Sequence, residues 1–93
     1  MKYFSWANDK NLQLKARRGV SFEEVVFHIG AGHLLDILQH PNPEKYPGQR
    51  IFAVDIEGHA YLVPFVETDD EVFLKTIIPS RKATRRHLKG KGK

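Results

Sequence analysis

The chain has no cysteine. Disulfides, thiolate zinc sites and a cysteine nucleophile are therefore excluded. No stretch approaches the ~18–20 apolar residues of a membrane span, and the opening MKYFSWANDK lacks the apolar core of a signal peptide. The expectation is a soluble cytoplasmic protein with no membrane partner. No glycine-rich phosphate loop occurs, because Gly30-Ala31-Gly32-His33 follows a predicted helix instead of opening one. Ser5, Ser21 and Ser80 lack the strand–turn–helix setting of a nucleophile elbow. The histidines, His28, His33, His40, His59 and His87, come without HExxH spacing, and His28 and His33, five apart, do not share a helix face. No metal site and no cofactor is expected. One further absence matters more: residues 80–93 contain no Asp or Glu.

That same stretch, SRKATRRHLKGKGK, holds 7 of the 15 Lys and Arg residues. The first 79 residues hold 8 basic and 11 acidic residues, a balance of −3. The net +4 thus belongs to a mildly acidic body carrying a concentrated anion-binding end. A polyanion or an acidic protein fits such a charge distribution. At 93 residues the chain is long enough for one domain only. Its expected extent is 1–88, with 89–93, alternating Gly and Lys, a disordered basic tail.

Tyr3 to Trp6 reads as a first strand or an anchoring arm. Asn8 and Asp9 offer N-cap chemistry for a helix over about 9–18, with Leu12 and Ala16 at helical spacing and Gly19 as its stop. Ser21 and Glu24 form a capping box for a second helix, with Val20 and Val25 at the positions of a hydrophobic staple. Phe22, Val25, Val26 and Ile29 give it a core-facing stripe. Strands are predicted at 34–38, 50–57, 59–67 and 71–78, with a tight turn at Gly58. Pro64 inside a strand implies an edge or a bulge. Residues 80–88 read as a short helix or turn. The expected fold is α+β: two N-terminal helices packed on one face of an antiparallel sheet of about four strands.

The basic residues carry the candidate chemistry. Metal-free RNA cleavage needs a base for the 2′-hydroxyl, cations for the dianionic phosphorane and an acid for the leaving 5′-oxygen. Arg50 opens one strand, Lys75 lies in another and Arg81 follows the last. If those elements are neighbours, they form a cationic cluster able to hold phosphate. Lys82, Arg85 and Arg86 would extend an RNA contact, and Lys10, Arg17 and Arg18 make the first helix basic. His59, at a hairpin end, and His87, in the basic run, are the acid–base candidates. Read one by one, each of these residues is better explained as a solvated charge or a contact to an acidic partner; the basic tail as a whole reads as functional, because like charges at this density repel one another.

The blocks GVSFEE (19–24), preceded by Trp6 and Lys10, and IIPSRKATRR (77–86), with Arg50 between them, resemble the BrnT family of ribonuclease toxins. The resemblance spans about Phe4 to Arg86. It implies a RelE-like fold and a type II toxin–antitoxin toxin, a metal-independent endoribonuclease that cleaves RNA and inhibits translation. It also implies a small antitoxin with a DNA-binding domain, so that DNA is met only through that partner. The chain departs from the family pattern at Ala7, Leu14, Arg17-Arg18, Lys75, Pro79-Ser80 and His87. Two other readings stand beside this one. The first is a non-catalytic RNA- or ribosome-binding module, or an inactive toxin-like protein that binds an acidic partner. The second is a structural protein with a solubilising tail.

Overall fold

The structure, a computed structural model, describes residues 2–88. The expected tail at 89–93 lies outside the described residues. Strand β1 (Tyr3–Trp6) leads into helix α1 (Asn8–Arg18). The helix begins one residue before the predicted start, so its N-cap is Ala7, which makes no side-chain cap bond. Asp9 instead sits in the first turn, where it complements the helix dipole. Gly19 ends the helix at φ 68, in the left-handed region where a side chain would be strained. Helix α2 (Phe22–Gly30) has the predicted capping box: Ser21 Oγ accepts from the Glu24 amide at 3.2 Å, and Glu24 Oε1 accepts from the Ser21 amide at 3.1 Å. Both staple residues, Val20 and Val25, are buried.

The two helices are locked by a residue that periodicity did not single out. Asn11 is buried; its Oδ1 accepts from the Phe22 amide at 2.8 Å, and its Nδ2 donates to Glu23 Oε1 at 2.8 Å. Asn11 and Leu14 form the inward face of α1. Leu12, predicted to face inward, is instead 55% exposed, and Ala16 is exposed too. The helix is rotated so that a polar clasp to α2 takes the place of a purely apolar stripe.

Strands β2 (Leu34–Gln39), β3 (Gln49–Ile56), β4 (His59–Glu67) and β5 (Glu71–Leu74) join β1 in the order β1-β5-β4-β3-β2, and β6 (Ile78–Pro79) pairs with β4. The sheet is mixed, because β1 runs parallel to β5. Glu57 and Gly58, both with positive φ, turn β3 into β4. The α+β class is as expected. The sheet is larger than expected, since β1 is a true strand and the predicted strand at 71–78 is broken in two.

That break has a packing cause. Phe65 pairs with Leu74 and Leu62 with Ile78, so three steps along β4 face four along β5–β6. The extra residue is a bulge. In an unbroken strand Leu74 and Ile77, three apart, would face opposite ways; the bulge lets both enter the same core. Pro64 sits opposite it, accepting at its carbonyl from the Lys75 amide at 2.8 Å. The missing N–H of Pro64 thus falls where the ladder is already interrupted. β4 is central, so of the two expectations for Pro64 the bulge is the one realised.

Cross-strand register divides the sheet faces. Phe52, Val54, Val63, Phe65 and Leu74 share one face and pack with Leu14, Phe22 and Val25 from α1 and α2. Trp6 stacks on Phe22 at 5.7 Å, and Phe52 stacks on Phe65 at 3.9 Å. Helix α3 (Arg81–Leu88) does not join them. It crosses the other face over β4, with Ala83 buried and Leu62 and Leu38 beneath its flank. Ala53 and Ala60, on that face, are fully buried and small enough to let a helix approach.

Candidate nucleic-acid interface

The site is built at the start of α3. Beyond β6, the strand β4 has no further strand partner on that side among the described residues, and the chain supplies one through the Ser80 backbone and the Thr84 side chain. The Ser80 amide donates to the Ala60 carbonyl at 3.1 Å, and the Ala60 amide donates to Thr84 Oγ1 at 2.9 Å. Thr84 Oγ1 donates in turn to the Ser80 carbonyl at 2.8 Å. Ser80 Oγ accepts from the Ala83 amide at 3.1 Å and so caps α3. The Ser80 amide and the Thr84 hydroxyl therefore clamp the basic helix to the sheet, and the Ser80 hydroxyl caps it. A Ser before a predicted basic helix was a readable cap signal; Thr84 carried none.

Two clefts flank this clamp, and Ser80 lines both. The first, about 230 Å³, is bounded by His59 and Tyr61 of β4, by Pro79 and by Arg81 and Thr84 of α3. The second, about 190 Å³, has Leu38, Leu62 and Ala83 as its floor and Lys82, Arg86 and His87 as its rim. Both are below the ~300–1,000 Å³ usual for a drug-sized ligand. They suit one phosphate or one base, not a large cofactor. The helical period causes the division, because Lys82 and Arg86 are four apart and share a flank that Arg81 does not.

The structure brings together some expected site residues and separates others. His59 and Arg81 meet in the first cleft. Lys82, Arg86 and His87 meet in the second, and Arg85 is exposed on α3. Arg50 lies elsewhere. It pairs with Phe65 in register, six positions along β4 from His59, or about 20 Å. Its guanidinium lies over the Phe65 ring and pairs with Glu67, which also holds Lys2 at 2.7 Å. Lys2, through its hydrogen bond, and then Arg50 hold the Glu67 carboxyl below its ordinary pKa. Lys75 is exposed beside the bulge, on the α3 face but opposite Pro64, and its ammonium lies 5.7 Å from the Phe73 ring. The expected cluster of Arg50, Lys75 and Arg81 is thus not formed: the sheet is too long and two-faced to gather them. Lys10, Arg17 and Arg18 belong to α1, on the face opposite α3. Tyr61 and Thr84 are cleft residues that the sequence reading did not name.

Charge distinguishes α3 from the rest. Its first turn holds no acidic residue, and among the described residues none of Arg81, Lys82, Arg85 and Arg86 forms an ion pair. Arg81 and Lys82 also stand at the positive end of the helix dipole, an unfavourable placement costing about 0.3–1 kcal/mol each. An anion at this place relieves both penalties.

The histidines hold one correction. His28 and His33 do come together: the turn at Gly32 folds the chain back, His33 donates its amide to the His28 carbonyl at 2.9 Å, and the two Nδ1 atoms are 2.8 Å apart. The helix-face argument failed because His33 lies beyond the helix. Among the described residues no group of three or more metal-ligating side chains forms, and no helix is long and apolar enough to cross a membrane. Comparison with family models, with curated proteins and with solved structures gives no match.

Proposed function

We propose that the chain is a BrnT-like, RelE-like endoribonuclease toxin, held inactive by a small antitoxin. One observation carries the catalytic reading: His59 and Arg81 line one cleft at the start of a helix whose cations form no ion pair among the described residues. The chemistry available there is transesterification. Neutral His59 takes the 2′-hydroxyl proton, and O2′ attacks phosphorus. Arg81 holds the equatorial oxygens of the dianionic phosphorane through paired N–H donors. The P–O5′ bond breaks as the His59 imidazolium returns its proton to the 5′-oxygen, leaving a 2′,3′-cyclic phosphate and a 5′-hydroxyl. The residues themselves supply base, charge and acid, so the step needs no cofactor.

The test is controlled expression with and without the product of the neighbouring gene, following growth and RNA integrity. Growth arrest with RNA bearing cyclic phosphate ends is expected, relieved by the partner and by Arg81→Ala. Unimpaired growth with intact RNA removes the toxin reading. A folded, equally toxic Arg81→Ala protein removes the site assignment.

A second reading, a non-catalytic RNA-binding module, is favoured by Arg50. That cation is engaged by Glu67 about 20 Å from His59, which leaves a single arginine in the first cleft. RNA binding with a steep salt dependence but without cyclic phosphate products would select this reading.

A further inference from the structure

We infer that the second cleft is a base-holding subsite for single-stranded RNA, taking the nucleotide next to the phosphate in the first cleft. The inference rests on the RNA-binding reading above, but not on cleavage. The two clefts lie on either side of the first turn of α3 and share Ser80. A strand that places a phosphate against Arg81 and crosses this turn meets Lys82 and Arg86 on the far flank. There the cleft changes character. Leu38, from the edge strand β2, and Leu62 of β4 are half-buried and offer an apolar floor, and Ala83 leaves space above it. An apolar floor beneath a cationic rim matches a nucleotide, whose base is flat and apolar on its faces and whose phosphates are anionic.

The occupant is single-stranded because a duplex keeps its base faces stacked and presents only edges and backbone. Among the described residues the floor is apolar, and the Ser80 hydroxyl at its margin is engaged by the Ala83 amide, so the subsite discriminates weakly between bases. The rim cations Lys82 and Arg86 are exposed and form no ion pair among the described residues, so they complement phosphate without breaking an existing pair.

The experiment uses the full chain and short 2′-O-methyl RNA, which binds but cannot be cleaved, with affinity read by fluorescence anisotropy. Removing one base, to leave an abasic position, is expected to weaken wild-type binding about fivefold or more, the low end of the contribution of a stacked base. Leu38→Asn, which makes the floor polar at an edge strand, should erase the difference between intact and abasic RNA. A thermal midpoint equal to wild type verifies its fold. Lys82→Ala with Arg86→Ala should weaken both RNAs and make the salt slope less steep by about 1.4, the value for two lost phosphate contacts on a single strand. Equal binding of intact and abasic RNA by the wild type would overturn the subsite, as would a base effect that survives Leu38→Asn. Competition by polyglutamate as effective as that by RNA would reassign the cleft to acidic peptides. No RNA binding at all would instead remove the parent reading.

Discussion

Replacing Thr84 with Val should release α3 without unfolding the sheet. Val preserves the shape of Thr, so packing is retained and only the hydroxyl is lost. Two bonds go with it: the Ala60 amide loses its acceptor at 2.9 Å, and the Ser80 carbonyl loses one of its two donors. Ala60 is 1% exposed, so its N–H is left buried without a partner. Such a group costs about 1–3 kcal/mol. Lifting α3 from β4 returns that N–H to water, so the cost falls on the docked state alone. The local opening equilibrium should therefore rise roughly 5- to 150-fold. Little opposes it, since α3 is short and buries only Ala83 fully. The domain as a whole, with stability of the order of 5–15 kcal/mol, should remain folded. Hydrogen exchange monitored by NMR separates the two levels. The amides of Ala83 and Thr84 should exchange faster by the stated factor, while those of Val54 and Val63 should not change. Thr84→Ser should behave nearly as wild type. Unchanged exchange in α3, or an equal loss of protection in β3 and β4, would refute the clamp.

Three other expectations follow from named contacts. Glu67, held by Lys2 and Arg50, has its folded pKa lowered, so its contribution is present above the ordinary carboxylate pKa of 4.5 and lost as pH falls through the lowered value. Glu67→Gln should therefore show a shallower fall in thermal midpoint below about pH 5 than wild type; parallel curves would disprove the linkage. Asn11→Ala strands the buried Phe22 amide and should lower stability by about 1–3 kcal/mol in urea unfolding. A loss under about 0.5 kcal/mol would mean that the α1–α2 clasp is dispensable. Arg50→Ala and Arg81→Ala should differ in kind. The first should flatten the acid limb of stability less than Glu67→Gln does, because Lys2 still holds Glu67, and should spare RNA binding. The second should spare stability and weaken RNA binding. Reversal of this pattern would restore Arg50 to the site.

Local rules made much of the fold legible. The capping box at Ser21 and Glu24, the stop at Gly19 and the hairpin turn at Gly58 each depend on residues within one or two turns of chain. Strand β4 was readable for the same reason. What could not be read depends on residues far apart in sequence. The parallel pairing of β1 with β5 joins residues 68 positions apart, such as Ser5 and Phe73. The rotation of α1 depends on Asn11 meeting Phe22 across the hairpin. The site suffered most. Arg50, Lys75 and Arg81 were grouped because each lies in or next to a strand, but grouping needs strand order, face and distance together. Register places Arg50 on the same sheet face as His59 but six positions along β4, and gives it Glu67 as a partner. His59 and Arg81 were both named, yet their meeting depends on Ser80 and Thr84 docking α3 at Ala60, which charge patterning does not reveal.

If α3 binds RNA as proposed, its clamp and its charges make RNA and docking reinforce each other. The helix carries four like charges, two of them at the positive end of its dipole, and only a few hydrogen bonds hold its start. Both clefts exist only when it is docked, since each is walled by α3 on one side and by β4 on the other. A ligand that binds only the docked state stabilises it by RT ln(1 + [L]/Kd), about 2.7 kcal/mol at 100 Kd. Non-cleavable RNA at that concentration should thus slow exchange at Ala83 and Thr84 by up to about 100-fold. The effect should shrink as salt rises, in parallel with affinity. It should also partly rescue docking in Thr84→Val, because the ligand acts on the same equilibrium from the other side. If saturating RNA leaves α3 exchange unchanged, RNA binds the undocked helix equally well. The clefts would then not be the site, and the cations of α3 would act only as a tether.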